Sequence, residues 1–322
     1  MIKKVVQIVF SIFILSFVVF YMGRLAPGDP LKAYYGESIE RMSTEEKDLA
    51  KEKLGLNKPI YKQYLIWLEN DFDGEFGISY KYKEDVTTVI SDVFINTLIL
   101  GGLSYILTFT LSLLLGVFCA INENKLIDKI ICMIGNVINS IPTFWIALVL
   151  ILLFSINFSI LPSSGAYDIG MEHSILGRIK HLILPLIVMI SGHLWYYAYM
   201  IRNKLLEEIR EDYILLAKMK GVSNVGILFK HCLRNIMPAF ISIMAISIPH
   251  IIGGTYVVEK IFSYPGLGSL TFESAKYHDY NMLMVLCLIT GVVVILANII
   301  GDIISNKIDP RTKHARRDTL ET

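Results

Sequence analysis

Little in this chain supports soluble chemistry. Only 18% of its 322 residues are charged, and the formal net charge is +1. That balance provides no long-range field for nucleic acid. There are four cysteines, Cys119, Cys132, Cys232 and Cys287, and no CxxC pair. Their positions in or beside apolar runs, or in a charged loop between such runs, argue against a disulfide framework. The seven histidines contain no i, i+4 pair, so no helix face presents two metal ligands. No GxxxxGK[ST] loop, G-x-S-x-G elbow or HExxH motif occurs. The chain therefore lacks the usual means of hydrolysing ATP or forming an acyl-enzyme. Internal repeats and low-complexity tracts are also missing.

Apolar length is what the chain has. Hydrophobic residues make up 54%, and the mean hydropathy is +0.54. Six runs read as membrane spans, at about 5–22, 96–121, 130–158, 182–201, 236–258 and 282–306. The first is longer than the core of a signal peptide and lacks a small-x-small cleavage site. It reads as a retained span. Expected organisation is a first helix at 1–23, a polar insertion at 24–95, a five-helix core at 96–306 and a tail at 307–322. The joints carrying Lys3–Lys4, Asn122–Lys129, 202–235 and 307–322 hold 2, 2, 7 and 5 basic residues. The two short loops on the other side hold 2 each. This bias places both termini in the cytoplasm and 24–95 outside, because long loops count little.

The insertion opens with two prolines and a glycine, which oppose helix. Ser43 with Glu46 reads as a capping box. That helix should stop near Gly55. Asn57 and Pro59 suit the start of another, carrying Tyr64, Trp67 and Leu68.

The longest charged stretch assigned to the cytoplasm is 204–238. Apolar residues recur at Ile209, Tyr213, Leu216 and Met219, the spacing of an amphipathic helix. Gly221 supplies a left-handed stop. Ser223 or Asn224 can cap a second helix running toward Pro238. Within the spans, Pro142, Pro185 and Pro249 each remove an intrahelical hydrogen bond, which neighbouring helices or a cavity must compensate. Gly253 and Gly254 allow close helix approach. Ser140, Pro142, His193, Pro249, Gly253 and Gly254 are candidates for a pathway wall, weighed against plain helix packing. Asp302 reads as structural.

Five segments, taken in order, resemble one family. Glu207, Asp212-Tyr213, Ala217 and Lys220-Gly221, followed by His231, Leu233-Arg234-Asn235 and Pro238, resemble the EAA loop of ABC importer permeases. RLAPGDP at 24–30, including Pro27, Gly28 and Asp29, resembles the branch importing dipeptides, oligopeptides and nickel. So do LGLNKPIYKQYLIWL and Gly74–Ser79. Glu259, Phe262 and Pro265-Gly266-Leu267-Gly268 match its E-x-x-F-x-x-P-G-x-G segment. Asp279, Asn298, Asp302 and Asp309-Pro310-Arg311 match its closing positions. Leu215, Leu216 and Met219 stand where the family usually has Arg, Thr and Ala.

The resemblance implies an all-α, polytopic type I importer permease of about six spans, with a small extracytoplasmic helical insertion. It implies a coupling helix at 205–221, formed by Glu207, Asp212, Tyr213, Ala217, Lys220 and Gly221, that docks on an ATPase. It assigns Pro27, Gly28, Asp29, Glu259, Pro265, Gly266, Gly268 and Asp279 to the extracytoplasmic face. Expected partners are a second homologous permease, two ATPases, an extracytoplasmic substrate-binding protein and the lipid bilayer, with no nucleic acid. No cofactor is expected on this chain; ATP and Mg belong to the ATPases. The expected location is the plasma membrane of a prokaryote. Expected cargo is peptide, with nickel or a nickel chelate as the alternative. A self-contained secondary transporter would require inverted repeats and mid-membrane charges, and neither is evident. A membrane enzyme would require a catalytic cluster at one interface, and none is evident either.

Overall fold

The computed structural model describes residues 2–25, 29–53 and 55–308. Among these residues the secondary structure is helical, apart from an isolated bridge between Ile78 and Asp85. Pro27, Gly28 and Asp309-Pro310-Arg311 lie outside the described residues. Among the described residues five helices are long and apolar enough to cross a membrane. The number becomes six if one sharply bent pair counts as a single span. The chain divides into two compact units, Met1–Thr97 with Pro265–Ile295, and Leu98–Tyr264 with Leu296–Thr322.

In the first unit, α1 (Ile2–Leu25) is the apolar N-terminal helix. Short helices follow at α2 (Pro30–Tyr35), with a 3₁₀ turn after it, and at α3 (Thr44–Lys53). Asp29 Oδ1 accepts from the Leu31 amide at 2.9 Å, so it caps α2 with Pro30 in the first helical position. The expected capping box forms at α3. The Ser43 amide donates to Glu46 Oε2 at 2.8 Å, and the Glu46 amide donates to Ser43 Oγ at 3.2 Å. Gly55 then takes a φ of 69°.

Helix α4 (Ile60–Asp73) follows Pro59 and ends at left-handed Gly74. Its Tyr64 and Trp67 are buried against α1. Phe20 and Trp67 ring centroids lie 5.2 Å apart, and Ser16 Oγ is 3.0 Å from Tyr64 Oη. The insertion thus buries its apolar residues partly among themselves, at Leu31, Ile39 and Ala50, and partly against the spanning helix α1.

Helix α5 (Val86–Ile121) starts earlier than the apolar run alone indicates. Its 36 residues rise about 54 Å, well beyond the ~30 Å hydrocarbon layer. The extra turns have a physical cause. Val86, Val89 and Ile90, at helical spacing, are buried with Leu267, Met282 and Leu286.

In the second unit, the expected single span over 130–158 is broken. Helix α6 (Leu126–Asn139) and α7 (Thr143–Leu150, continuing as a π-helical turn over Ile151–Asn157) meet at a bend of 98°. Pro142 is therefore not inside a helix, as the sequence suggested. It stands at the N-cap of α7, where its carbonyl accepts from Trp145 at 3.0 Å and its missing N–H leaves no gap. Helix α8 (Ile175–Ile209) is capped by Ser174, whose Oγ accepts from Gly177 at 3.2 Å.

Three further pieces close the unit: α9 (Asp212–Met219), α10 (Asn224–Ile227) and α11 (Leu233–Ile261). A π-helical stretch, Leu228–Cys232, joins the last two, so the chain from Val225 to Ile261 reads as one span. The second helix of the charged stretch is thus the entry to the fifth span. Its Pro238 lies within α11, and Ser242 Oγ takes up the Pro238 carbonyl at 2.9 Å. Helix α12 (Leu267–Lys276) belongs to the first unit. Helix α13 (Tyr280–Ile308) contributes to both.

Candidate functional site

The charged stretch 202–235 is built differently from one amphipathic helix. Helix α8 carries it as far as Ile209, and the chain breaks at Arg210-Glu211. Glu211 takes extended dihedrals and starts α9. The residues that α9 buries are Ile214 and Ala217, not the Tyr213–Leu216–Met219 series. A break between Ile209 and α9 shifts the phase of the pattern, so the apolar residues expected inside come to the surface. Leu215, Leu216 and Met219 are exposed, Met219 by 78%.

The end of α9 agrees with the expectation. Gly221 has a φ of 77°. The Gly221 amide donates to Lys218 at 2.9 Å, and Val222 donates to Ala217 at 3.2 Å, closing the helix with a left-handed residue. Nothing lies within 4 Å of a side chain built at Gly221, so the requirement for glycine here is conformational and not steric. Ser223 caps the next turn, accepting from Gly226 at 3.2 Å.

Tyr213 joins three elements. Its hydroxyl donates to Glu208 Oε1 of α8. Asn235 Nδ2 of α11 donates to Tyr213 Oη at 2.9 Å and to Glu208 Oε1 at 3.0 Å. Partial burial, and then the Glu208 carboxylate, push the phenol of Tyr213 above its ordinary value. Glu207 lies on the exposed side of α8 and pairs with Lys204 at 2.7 Å. Asp212 and Lys220 are exposed at the two ends of α9.

Two ion pairs attach this stretch to Glu123, just after α5, and to Asp128 in the first turn of α6. Arg202 is part of α8, not of a loop, and grips Asp128 with two bonds, Nε to Oδ1 at 2.7 Å and Nη2 to Oδ2 at 2.6 Å. Asp128 is buried. Arg210 Nη2 donates to Glu123 Oε1 at 2.6 Å. The bidentate pair is 74 residues apart in sequence, and nothing local pointed to it.

The candidates for a pathway wall are only partly gathered. His193 of α8 stacks on Tyr197, whose hydroxyl donates to Ser247 Oγ of α11 at 2.7 Å. Gly254 belongs to the same α8–α11 seam. A Cβ there would meet His193 Nε2 at 3.4 Å, so its smallness serves helix approach. Gly253 faces open space, and Pro249 is a half-buried position in α11. Ser140 and Pro142 belong instead to the bend between α6 and α7, where Ser140 Oγ returns to the Asn136 carbonyl at 2.8 Å.

At the other ends of the spans, Asp279 is fully buried. It accepts from Ser79 Oγ, from the Lys81 amide at 3.0 Å and, as the cap of α13, from the Met282 amide at 3.3 Å. Pro265 accepts from Asn96 Nδ2 at 2.9 Å, and Gly266 opens α12. The Leu267 amide donates to Thr97 Oγ1 at 2.8 Å, and Gly268 is buried behind it. In the second unit, Glu259 is fully buried near the end of α11, and its carbonyl accepts from Tyr264 at 2.8 Å. Burial pushes the Tyr264 phenol up to about 12, against the opposing pull of Arg178. The Gly165 amide donates to the Phe262 carbonyl at 2.9 Å, and buried His181 holds Ser164 and Gly165 through Nδ1.

Among the described residues no three His, Cys, Asp or Glu side chains gather as metal ligands. The charged stretch holds α9 to α8 and α11 through Tyr213 and leaves Leu215, Leu216 and Met219 at the surface.

Comparison with known proteins identifies the family. Residues 112–314 match the profile of the binding-protein-dependent transport system inner membrane component, and residues 1–101 match the N-terminal profile of the same kind of component. The oligopeptide transport system permease protein AppB of Bacillus subtilis is 37% identical over 96% of each chain. The di/tripeptide transport system permease protein DppB of Pseudomonas aeruginosa is 32% identical over 95% of this chain and 96% of its own. The metal-staphylopine import system permease protein CntB of Staphylococcus aureus (strain NCTC 8325) is 31% identical over 98% and 99%. A chain from inward-facing crystals of the MetNI methionine ABC transporter superposes with a TM-score of 0.57. The match covers 69% of this chain and 97% of that one at 17% identity, which establishes likeness of fold.

Proposed function

The chain belongs to the binding-protein-dependent transport system inner membrane component family, and on that premise we propose that it is the membrane-spanning subunit of an ATP-driven peptide importer. It forms half of a translocation path with a second, homologous permease. Two ATPases supply the free energy with ATP and Mg, and an extracytoplasmic binding protein delivers the cargo. The observation that carries the coupling role is the exposed apolar surface of Leu215, Leu216 and Met219 on α9. That surface sits on a short helix held by Tyr213 and Gly221, as a part that transmits rigid-body motion requires. Glu207, Asp212, Ala217 and Lys220 frame the same element.

The contacts within each unit support the six-span topology. In the second unit, Arg202–Asp128 and Arg210–Glu123 join the two stretches assigned to the cytoplasm. There too, Gly165–Phe262 joins two stretches assigned to the outside. In the first unit, Asp279 joins the insertion to the loop before α13. Basic-residue bias orients this arrangement with both termini in the cytoplasm of a prokaryotic plasma membrane. Cysteines introduced at Ser43 and Ser223 of a cysteine-free version should respond oppositely to an impermeant maleimide in intact cells. Labelling of Ser223→Cys would overturn the topology.

Peptide cargo is favoured by the identities to AppB and DppB. CntB keeps a metal chelate as the second reading. The deciding experiment is uptake by proteoliposomes containing the full assembly, with labelled oligopeptide or metal chelate. ATP-dependent peptide uptake that requires both permeases and the ATPases is expected. Uptake by this chain without ATPases would end the importer reading.

A further inference from the structure

Helix α4 lies in the segment that topology assigns to water, yet its surface does not suit water. Ile60, Tyr64, Trp67 and Leu68 pack in the cluster containing Phe20 of α1. The apolar arc does not end there. Tyr61, Leu65 and Phe72 continue it at i, i+4 and i+11, and all are exposed, Leu65 by 58% and Phe72 by 84%. The opposite arc carries Lys62, Gln63, Glu69, Asn70 and Asp73. About half of the apolar face is therefore uncovered.

The depth of α4 follows from its contact with α1. The stretch of α1 long and apolar enough to cross the membrane is Val6–Leu25. At a rise of about 1.5 Å per residue, Ser16 is about 15 Å from either end, near the middle of a ~30 Å hydrocarbon layer. Tyr64 Oη lies 3.0 Å from Ser16 Oγ, and the Tyr64 ring packs edge-on to Phe17 at 5.7 Å. A tyrosine side chain is shorter than half that layer, so at least one turn of α4 sits below the headgroups.

We propose that α4 is a membrane-embedded interfacial helix, lying in the leaflet at the Leu25 end of α1 with Tyr61, Leu65 and Phe72 against acyl chains. The occupant of the free apolar face is lipid because buried Tyr64 seats α4 on α1 beside Phe17, Phe13 and Phe10, which are exposed on a helix apolar enough to span the bilayer. Lys58 and Lys62 near its start suit phosphate headgroups, and its aromatic residues suit the interface. The insertion is thereby anchored to the bilayer at a second point besides the ends of the spans.

The test uses the full assembly in nanodiscs, with single cysteines labelled by bimane in a version lacking the native four. Leu65→Cys and Phe72→Cys should lose emission with brominated phosphatidylcholine and resist iodide. Lys62→Cys and Glu69→Cys should show the reverse. Phe10→Cys, on the exposed side of α1, reports whether that helix itself faces lipid. With Phe10 quenched by lipid, iodide quenching at Leu65 and Phe72 would overturn the proposal. Protection from both quenchers would overturn it as well, by showing that a protein subunit covers the face. Independently of any substitution, photoactivatable phosphatidylcholine should leave adducts on peptides from α4 of the native chain. Adducts confined to the spanning helices would also sink it.

Discussion

Two polar clusters, one in each unit, perform the same local task under opposite conditions. In the first unit, Asp279 ties the 79–82 turn to the start of α13, and both Asp279 and Ser79 are fully buried. In the second, Glu208, Tyr213 and Asn235 tie α9 to α8 and α11, and Tyr213 remains 38% exposed. Out of water, a carboxylate whose donors are removed, or donors left without it, carry the full desolvation penalty. The Asp279 cluster is therefore a fastening that does not open cheaply. At the surface, water replaces a lost partner, so the Tyr213 cluster holds α9 in place weakly enough for the loop to shift. The docking role proposed for α9 calls for the second kind.

The largest effect should follow from breaking the buried cluster. Asp279→Ala leaves the Ser79 hydroxyl without an acceptor, though it still accepts from the Tyr82 amide, strips the Lys81 amide of its acceptor and removes the cap of α13. It should destabilise the first unit by about 3 kcal/mol. The measurement is the thermal unfolding midpoint of the purified full chain in detergent. An unchanged midpoint would mean that water reaches the site and that burial is not what distinguishes the clusters. Gly221→Val comes next. A β-branched residue at a φ of 77° costs roughly 1–2 kcal/mol, borne by the turn that aims α10. Membrane abundance and pairing with the second permease should stay intact while ATPase co-purification weakens and import is abolished. Normal import would remove 205–221 from the coupling role.

Tyr213→Phe sharpens the contrast at smaller scale. It removes one hydroxyl at a half-wet site, which is worth about 1 kcal/mol or less. The unfolding midpoint should barely move, while uptake falls several-fold because α9 loses its alignment. If stability drops as far as in Asp279→Ala, the surface cluster is a structural fastening too, and the distinction between the two fails.

Much of this architecture was legible because its causes are local. The Ser43–Glu46 box, the left-handed Gly221 and the long apolar runs each announce themselves within a few residues. The register of α9 was not legible, because the break at Arg210-Glu211 has no glycine or proline to mark it. It follows from α9 packing through Ile214 and Ala217, which is a tertiary choice. The bend at Pro142 was misread for a related reason. A proline between apolar runs looks the same whether it kinks a helix or starts one. Arg202–Asp128 was invisible because a bidentate pair across 74 residues leaves no period. The approach of α4 to α1 was hidden in the same way, since Ser16 and Tyr64 become neighbours only once both helices exist.

The first unit contains its own control for the value of partners. Asp71 of α4 is half-buried like many carboxylates, but its Oδ1 is shielded from solvent and meets no donor. Burial alone pushes its pKa up to about 7, from 3.8. The sign of the consequence follows from proton counting. Between those two values the folded chain holds a proton that the unfolded chain has lost. Stability therefore falls as pH rises from about 4 to about 7 and levels off above. Asp71→Asn removes the titration without changing the shape. It should match the wild type near pH 4 and exceed it near pH 8, by on the order of 1 kcal/mol once solvent screening is allowed for. Unfolding midpoints of the two chains at both pH values give the measurement. A difference that stays the same at both pH values would show that water or lipid headgroups reach Asp71. The contrast with Asp279 would then rest on the caps and not on the partners of a buried charge.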